Sequence, residues 1–324
     1  MIVDGVLNIR KAAGWTSHDV VARLRRSLGG VKVGHAGTLD PAATGVLPIL
    51  IGRGTRIAEY LLDWDKEYRA TLRLGETTDT LDATGAVLER RSTIGLSDET
   101  ILAAISRFKG RIQQVPPMYS AVKVAGVPLY KAAREGRVVD RAARVVTVSH
   151  IEVDRIDRGD VTIRVVCSKG TYIRTLCADV GQVLGVGGHL LALERTRVGS
   201  LTANLAATIE EFEASLSIGQ WSASLLSLDA ALQSLPACIV DDETAHRVLH
   251  GVAVPWNSVL VWESQPEKAD APGRRGIRIR DQAGRLLAIG RWPGDRVMTT
   301  GGACSQPPIA VEKVLMSEET VQCG

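Results

Sequence analysis

Apolar residues recur with two different periods along the first two hundred positions of the chain. At helical spacing they predict three helices, over residues 18–28, 98–109 and 172–184. Ser17 and Ser97 stand where the first two of these helices need an N-cap. Alternating or continuous apolar runs predict four strands, over residues 45–51, 67–74, 144–153 and 161–167. Because helices and strands follow one another in irregular order, the pattern predicts an α+β fold rather than a βαβ repeat.

The pattern changes near residue 235. Residues 202–234 look helical and connective, and short β-rich pieces punctuated by Gly and Pro follow them, at 276–280 and 286–290. We therefore predict one domain over residues 1–234, a second over 235–316 and a tail over 317–324. A chain of 324 residues with 45% hydrophobic content is long enough to bury a sizeable core.

The net charge of +3 is too small to indicate a nucleic-acid partner by itself. The positive residues nevertheless gather in two stretches, as in proteins that bind a phosphate backbone, although a solvated surface is the commoner explanation of any one such cluster. The first stretch contains Arg23, Arg25, Arg26, Lys32, Arg53 and Arg56. The second contains Arg274, Arg275, Arg278, Arg280, Arg285, Arg291 and Arg296.

Several classes of protein find no support in the sequence. The chain has no apolar run of 18 residues and no signal peptide, which predicts a cytoplasmic protein without a membrane anchor. Its five cysteines form no CxxC pair and no regular framework, so reduced thiols are expected. His246 and His250 have helical i, i+4 spacing but no third ligand nearby, so no metal site is predicted. No P-loop or dinucleotide fingerprint is present.

One carboxylate stands out, in the stretch VGHAGTLDPAATGVLP at residues 33–48. Asp40 is followed by Pro41 and flanked by Gly34, Gly37 and Gly45. The glycines allow a tight backbone path, and Pro41 biases Asp40 toward an extended conformation. The pattern indicates an acid held at one angle for chemistry, although Asp-Pro and Gly are also ordinary turn residues.

Two further motifs, KEYR at residues 66–69 and CSKGTYIR at 167–174, accompany this stretch. Together the three resemble the signature of the TruB family of tRNA pseudouridine synthases, over residues 3–200 and with a family-like module continuing to about residue 315. The resemblance implies a pseudouridine synthase fold with a mixed central sheet and a small C-terminal PUA-like β-barrel. It also implies an insertion near residues 110–140 that binds the T loop of tRNA, and no cofactor.

The resemblance further implies roles for individual residues. Asp40 would act on a uridine flipped out of the RNA, Tyr68 would stack on its base and help to remove the C5 proton, and Arg174 would hold Asp40 ionised through a two-pronged ion pair. The substrate-binding residues would be His35, which fills the gap left by the flipped base, together with Lys11, Gly37, Tyr172 and Leu193. By periodicity alone, Tyr68 is only a half-buried aromatic residue and Arg174 an ordinary helix residue.

The chain departs from the family pattern at two positions. Ala12 replaces the proline of the opening KPxGxTS motif, which makes the entry to that loop less rigid. Glu194 stands where many members of the family have arginine, which would weaken one phosphate contact.

The function implied by the resemblance is isomerisation of uridine 55 in the T loop of tRNA. The partner would be tRNA, held by its T stem-loop and acceptor end, and the protein would act as a monomer without an obligatory protein partner. Two alternatives stay open: a tRNA-folding chaperone with incidental catalysis, and a guide-dependent rRNA pseudouridine synthase. A glycosidase is a distant alternative, because the motif offers no second carboxylate.

Overall fold

The computed structural model describes residues 4–120, 122–124, 126–137, 139–264, 276–292, 297–298, 304–305 and 307–316. The chain divides into two compact units, each of which is built from more than one segment of the chain. The larger unit comprises residues 8–49 and 62–224, and the smaller unit comprises residues 1–7, 50–61 and 225–324. The predicted tail, 317–324, lies outside the described residues.

The strands of the described residues are β1 (Gly5–Lys11), β2 (Val33–His35), β3 (Thr44–Ile51), β4 (Lys66–Leu74), β5 (Glu76–Thr78), β6 (Val87–Arg90), β7 (Gly110–Gln114), β8 (Lys123–Val124), β9 (Val127–Pro128), β10 (Arg144–Asp157), β11 (Asp160–Cys167), β12 (Gly188–Val198), β13 (Leu201–Thr202), β14 (Leu225–Leu226), β15 (Ala237–Val240), β16 (Val259–Ser264), β17 (Gly276–Arg280), β18 (Leu286–Arg291), β19 (Val297–Met298), β20 (Cys304–Ser305) and β21 (Ala310–Val314).

The α-helices of the same residues are α1 (Ser17–Ser27), α2 (Ala58–Leu62), α3 (Asp98–Ser106), α4 (Leu129–Arg134), α5 (Ile173–Val183), α6 (Ile209–Ser217), α7 (Leu228–Ala231) and α8 (Asp242–Leu249). Four short 3₁₀ turns complete the secondary structure, at Gly52–Ile57, Ala203–Leu205, Trp221–Ser224 and Trp256–Ser258.

A mixed sheet forms the centre of the larger unit. Its strands run in the order β1-β3-β12-β4-β11-β10-β7, with β2 beside β3 and β13 beside β12. The pair β3–β12 is parallel, whereas β12–β4, β4–β11, β11–β10 and β10–β7 are antiparallel. Alternating apolar side chains of β4 and β11 pack with α3 and α5 in one buried cluster. The predicted α+β architecture with a mixed central sheet is therefore confirmed.

The predicted elements agree with the structure except at their ends. Helix α5 matches the prediction to one residue at each end, whereas α3 stops at Ser106 rather than at 109. Strand β10 continues to Asp157, because its pairing with β11 extends through two irregular positions down to Asp157 and Asp160. The short strand β14, in a stretch expected to be helical and connective, was not predicted.

The predicted cap of α1 was wrong. The N-cap is Thr16, whose hydroxyl accepts the N–H of Asp19 while the Asp19 carboxylate accepts the N–H of Thr16. This reciprocal capping box satisfies two backbone donors at once, which Ser17 with Val20 three residues later cannot do. The Ser17 hydroxyl instead accepts the N–H of Leu39 at 2.9 Å.

In the smaller unit, five strands form a sheet in the order β16-β15-β17-β18-β21, over a buried apolar cluster. Among the described residues, its outer strands β16 and β21 do not pair, so no closed barrel forms. The expected C-terminal β domain is present, but as an open sheet.

The arginines of the second basic stretch that the structure describes all meet carboxylates within the smaller unit. Arg278 binds Asp229 at 2.9 Å, Arg280 binds Glu263 at 2.5 Å and Arg285 binds Asp281 at 2.7 Å; Arg291 binds Glu312. Arg274, Arg275 and Arg296 lie outside the described residues. Four of the seven arginines are thus engaged in the fold of this unit.

None of the helices in the described ranges is long and apolar enough to span a membrane.

Candidate active site

The Asp40 loop, residues 36–43, connects β2 to β3. Gly37 and Gly45, on either side of Asp40, both have φ of +100°, a backbone conformation that side chains with a Cβ rarely adopt. The loop is held by backbone hydrogen bonds from Ala43 N–H to the Asp40 carbonyl and from Gly14 N–H to the Pro41 carbonyl. Gly37 and Gly45 therefore permit the backbone path that presents Asp40.

Lys11 is a buried residue that is hydrogen-bonded to this loop. It is 0% exposed, and its Nζ donates to the carbonyls of Ala12 at 2.9 Å, Trp15 at 2.7 Å and Pro41 at 3.1 Å. Burial lowers the pKa of Lys11 to about 8, while the charge of Asp40 opposes that shift. Ala12, which replaces the family's proline, provides one of the three carbonyls that Lys11 binds.

A pocket of about 560 Å³ opens beside the Asp40 loop, within the size range of small-molecule sites. It brings together six of the eight residues predicted from the sequence: Gly37, Asp40, Tyr68, Tyr172, Arg174 and Leu193. The other two lie elsewhere in the larger unit, Lys11 behind the loop and His35 at the end of β2. Residues not predicted also line the pocket, among them Lys66, Ser120, Arg144, Lys169 and Arg195.

Arg174 lies in the first turn of α5 and is 6% exposed. Its Nε is 3.1 Å from Asp40 Oδ2, so the expected ion pair is present. The contact is not the two-pronged one that was expected, because the amino nitrogens of Arg174 bind elsewhere. Nη1 donates to Thr80 O and Asp82 Oδ2 at 3.3 and 3.4 Å, and Nη2 donates to Tyr119 O at 2.6 Å. The guanidinium thus ties three chain segments to α5.

Asp40 keeps 42% of its side-chain surface exposed, yet its environment raises the pKa of its carboxyl above the ordinary value of 3.8. Partial removal from water is the largest cause, and the negative charge of Asp82 adds to it. Arg174 and Lys11 lower the pKa, as expected for neighbouring cations, but they do not offset the burial. The net direction is therefore opposite to the one expected from the ion pair alone.

Tyr68 lies on β4, opposite Val165 of β11 and Arg195 of β12. Burial raises the pKa of its phenol, and Arg195 opposes the rise by its charge and by a hydrogen bond. At neutral pH the side chain is consequently a protonated hydroxyl on an aromatic face rather than a phenolate.

The remaining predicted residues hold distinct places. Tyr172 is the N-cap of α5 and is fixed by Gln114, whose amide oxygen accepts the Tyr172 N–H at 3.0 Å. Leu193 contributes an apolar side chain to the pocket from β12. His35 is half-buried, burial lowers the pKa of its imidazole, and its buried Nδ1 has no partner among the described residues. Glu194, the second departure, forms an ion pair with Arg10 at 3.0 Å.

Asp82 and Arg195 are the residues that sequence reasoning missed. Asp82 Oδ1 accepts from Thr80 Oγ1 at 2.7 Å and from the N–H of Thr84 at 3.0 Å, which leaves Oδ2 for Arg174. In the sequence, the only hint of this arrangement is that Asp82 has a threonine two residues before it and another two residues after it, and both donate hydrogen bonds to its carboxylate. Arg195 had no such signal, because irregular pairing of β12 with β4 interrupts the strand's alternation on both sides of it.

Comparison with solved structures identifies the class of protein first. The chain resembles the crystal structure of a Cbf5–Nop10–Gar1 complex with a TM-score of 0.75 and 28% sequence identity, over 97% of this chain and 86% of that chain. Its mixed central sheet and additional C-terminal β domain are those of the pseudouridine synthase fold.

Sequence comparison then identifies the family. The model for the N-terminal domain of TruB family pseudouridylate synthases matches residues 25–173, and the model for the C-terminal domain of tRNA pseudouridylate synthase B matches residues 174–239. The chain is 45% identical to tRNA pseudouridine synthase B of Ralstonia pickettii, over 90% of this chain and 92% of that protein. It is 47% identical to tRNA pseudouridine synthase B of Alkaliphilus oremlandii, over 80% of this chain and 85% of that protein. The chain therefore belongs to the TruB family and is a tRNA pseudouridine synthase.

Proposed function

We propose that this enzyme converts uridine 55 in the T loop of tRNA to pseudouridine in the pocket beside the Asp40 loop. The observation that carries the proposal is the position of Asp40, on the pocket wall and 3.1 Å from the buried Arg174. Tyr68 supplies an aromatic face to the same pocket and Leu193 an apolar one. The pocket thus combines a carboxylate with surfaces suited to a pyrimidine ring.

The isomerisation breaks the N1–C1′ bond of the uridine and forms a C5–C1′ bond. C5 loses a proton and N1 gains one, so the product has the same atoms as the substrate, and no redox or group-transfer cofactor is consumed. In our proposal Asp40 is the carboxylate that acts on the nucleotide. Arg174 orients it, because the guanidinium is itself fixed by Thr80 and Tyr119.

A uridine within a folded T loop must leave its stack to reach Asp40. We assign Tyr68 to stacking on the flipped base and to the C5 proton, Leu193 to the opposite wall, and Tyr172 and Gly37 to contacts at the pocket. His35 would fill the gap left in the loop, and Lys11 would hold the Asp40 loop in shape. As a protonated hydroxyl, Tyr68 would accept the C5 proton only if its own proton leaves in the same step.

We further propose that residues 1–234 act as the catalytic domain, that the insertion near 110–140 presses on the T loop, and that residues 235–316 act as a PUA-like domain on the acceptor end. Since Arg278, Arg280, Arg285 and Arg291 already meet carboxylates, Arg274, Arg275 and Arg296 are the candidates for phosphate contacts.

Replacing Arg274, Arg275 and Arg296 by alanine should make the binding of whole tRNA less sensitive to salt. The slope of the logarithm of the binding constant against the logarithm of the salt concentration should become shallower by roughly 0.7 to 0.9 per lost contact. The same substitution of Arg280, Arg285 and Arg291, which already meet carboxylates, is the matched control, and an unchanged slope in the first triple variant would refute the assignment.

The experiment that tests the proposed function incubates the purified protein with unmodified tRNA and maps pseudouridine at single-nucleotide resolution. We expect modification at position 55, and modification elsewhere or nowhere would contradict the proposal. The same assay on an isolated T-arm stem-loop distinguishes a stand-alone enzyme from a guide-dependent one, because the latter would leave the hairpin unmodified without a guide RNA.

A further inference from the structure

Arg195 is the largest fully buried side chain among the described residues, at 1% exposed. Its Nε donates to Val46 O at 2.7 Å, its Nη2 to Gly37 O at 2.9 Å and its Nη1 to Thr38 O at 3.4 Å. All three carbonyls belong to the Asp40 loop or to the strand that follows it. One guanidinium therefore binds the backbone on both sides of Asp40.

The position of Arg195 in the sheet adds a second connection. In the parallel pairing of β12 with β3 it is opposite Gly45, and in the antiparallel pairing of β12 with β4 it is opposite Tyr68. A Cβ on Gly45 would lie 2.2 Å from the Arg195 carbonyl oxygen, so β3 and β12 approach closely at this point. The same residue thus links the end of the Asp40 loop to the strand that carries Tyr68.

The charge of Arg195 is not neutralised locally, since no carboxylate of the described residues lies in ion-pair contact with it. A buried cation without an ion partner is costly even when carbonyls solvate it, and a well-packed apolar residue usually fills such a position more favourably. Arg195 instead reaches the pocket, where it lies among the lining residues. Its field also reaches Lys66, whose pKa is lowered to about 8, first by burial and then by Arg195.

We propose that Arg195 is a positioning residue, which fixes the Asp40 loop against the wall that carries Tyr68 so that the carboxylate meets the nucleotide at one angle. This inference rests on the proposed role of Asp40. Because each of its three nitrogens donates to a carbonyl of this backbone, a change that removes the guanidinium frees the loop on both sides of the carboxylate. A displacement of about 1 Å at a reacting group is sufficient to cost roughly 100-fold in rate.

The test compares Arg195→Lys and Arg195→Met in the full-length protein. The readouts are the single-turnover rate constant on unmodified tRNA with enzyme in excess, the Kd for tRNA, and the thermal midpoint of unfolding. Lysine keeps the charge, but its donors sit on one nitrogen and cannot reproduce the planar fork that reaches three separate carbonyls; methionine removes both the charge and the donors. We expect the rate constant to fall by about 10-fold in the lysine variant and about 100-fold in the methionine variant, with the Kd changed by less than about threefold.

Two further variants separate positioning from simple stability. Arg278→Met removes another buried arginine, one that donates to Leu235 O at 3.1 Å and to Asp229, and it lies in the other unit. It should lower the thermal midpoint and leave the single-turnover rate constant unchanged. Asp40→Asn tests the underlying proposal, because its full activity would refute the role of Asp40 itself.

If Asp40→Asn is inactive while both Arg195 variants turn over within about threefold of the wild-type rate, the positioning role is wrong and the proposed function stands. If neither Arg195 variant folds, Arg195 is a core residue and the inference is likewise overturned. A graded loss of rate, with methionine worse than lysine and tRNA binding retained, supports it.

Discussion

Replacing Gly45 by alanine should damage the enzyme more than its small size suggests. The added Cβ would lie 2.2 Å from the carbonyl oxygen of Arg195, closer than any real Cβ contact. To restore a separation of 3.0 Å, β3 and β12 would have to part by about 0.8 Å, at the single stretch where the two strands pair. The backbone would also have to hold φ near +100°, which is unfavourable for alanine.

The magnitude follows from two contributions. A left-handed conformation costs a residue with a Cβ roughly 1–2 kcal/mol, and overpacking against rigid backbone costs typically 1–3 kcal/mol more. We therefore expect Gly45→Ala to lower the free energy of unfolding by about 2–5 kcal/mol. Gly14→Ala is the matched control, because Gly14 also has positive φ, +84°, but nothing lies within 4 Å of its Cβ position. Gly14→Ala should lower the free energy of unfolding only by the cost of the left-handed conformation, about 1–2 kcal/mol.

The assay is reversible urea unfolding of the wild type and both variants, with turnover on tRNA measured in parallel. In Gly45→Ala, β3 and β12 move apart, and these strands carry the Asp40 loop and Arg195. The rate of turnover on tRNA should therefore fall by more than the loss of folded protein explains. Equal stabilities for the two alanine variants would contradict this expectation, since they would show that β3 and β12 do not approach closely at Gly45.

Three other substitutions test the pocket. Arg174→Lys keeps the charge but not the contacts to Thr80, Asp82 and Tyr119, so turnover should fall at least 10-fold with tRNA binding retained; near-normal turnover would show that a point charge is enough. Tyr68→Phe should bind tRNA normally and turn over slowly, whereas Tyr68→Leu should lose stacking as well; a fully active phenylalanine variant would leave stacking as the only role. Asp82→Asn removes a charge that raises the pKa of Asp40, so the acid limb of kcat/KM, which reports loss of the ionised carboxylate as pH falls, should move to lower pH. If the acid limb of the pH profile did not move, the charge of Asp82 would not influence the pKa of Asp40.

Local rules predicted much of the scaffold. The alternation in β4 and the helical spacing in α5 followed from side chains that pack in one buried cluster, and the apolar run in β3 is buried as expected. The cap of α1 also had a local signal that was overlooked, because Thr16 with Asp19 three residues later forms a capping box and Ser17 with Val20 does not.

The contacts around Asp40 were less accessible to sequence reasoning, since they join segments far apart in the chain. The resemblance to the family implied Arg174 as the partner of Asp40, but not the sharing of its guanidinium with Asp82, Thr80 and Tyr119. The direction of the Asp40 pKa does not follow from the ion pair either, because burial and a second carboxylate outweigh two cations, Arg174 and Lys11.

Charge clusters were the least informative signal. The second basic stretch suggested a surface for phosphates, yet the arginines of it that the structure describes are paired with Asp229, Glu263, Asp281 and Glu312. Asp229, Glu263 and Glu312 lie outside that stretch, and only the fold brings each of them to its arginine, whereas Asp281 is four residues from Arg285. Counting charges in a window therefore overestimates the positive surface available to RNA.

The substitution Asp40→Asn shows whether Asp40 carries out the isomerisation in this pocket. The amide keeps the shape of the side chain and loses the charge and nucleophilicity of the carboxylate. Unmodified tRNA is incubated with the wild-type or variant protein, pseudouridine is mapped at each position, and the Kd for tRNA is measured. We expect wild-type protein to modify position 55 and the variant to modify nothing, while the variant's Kd stays within about tenfold, or roughly 1.4 kcal/mol, of the wild-type value. Pseudouridine at position 55 formed by the variant at a rate near that of the wild type would contradict this role of Asp40.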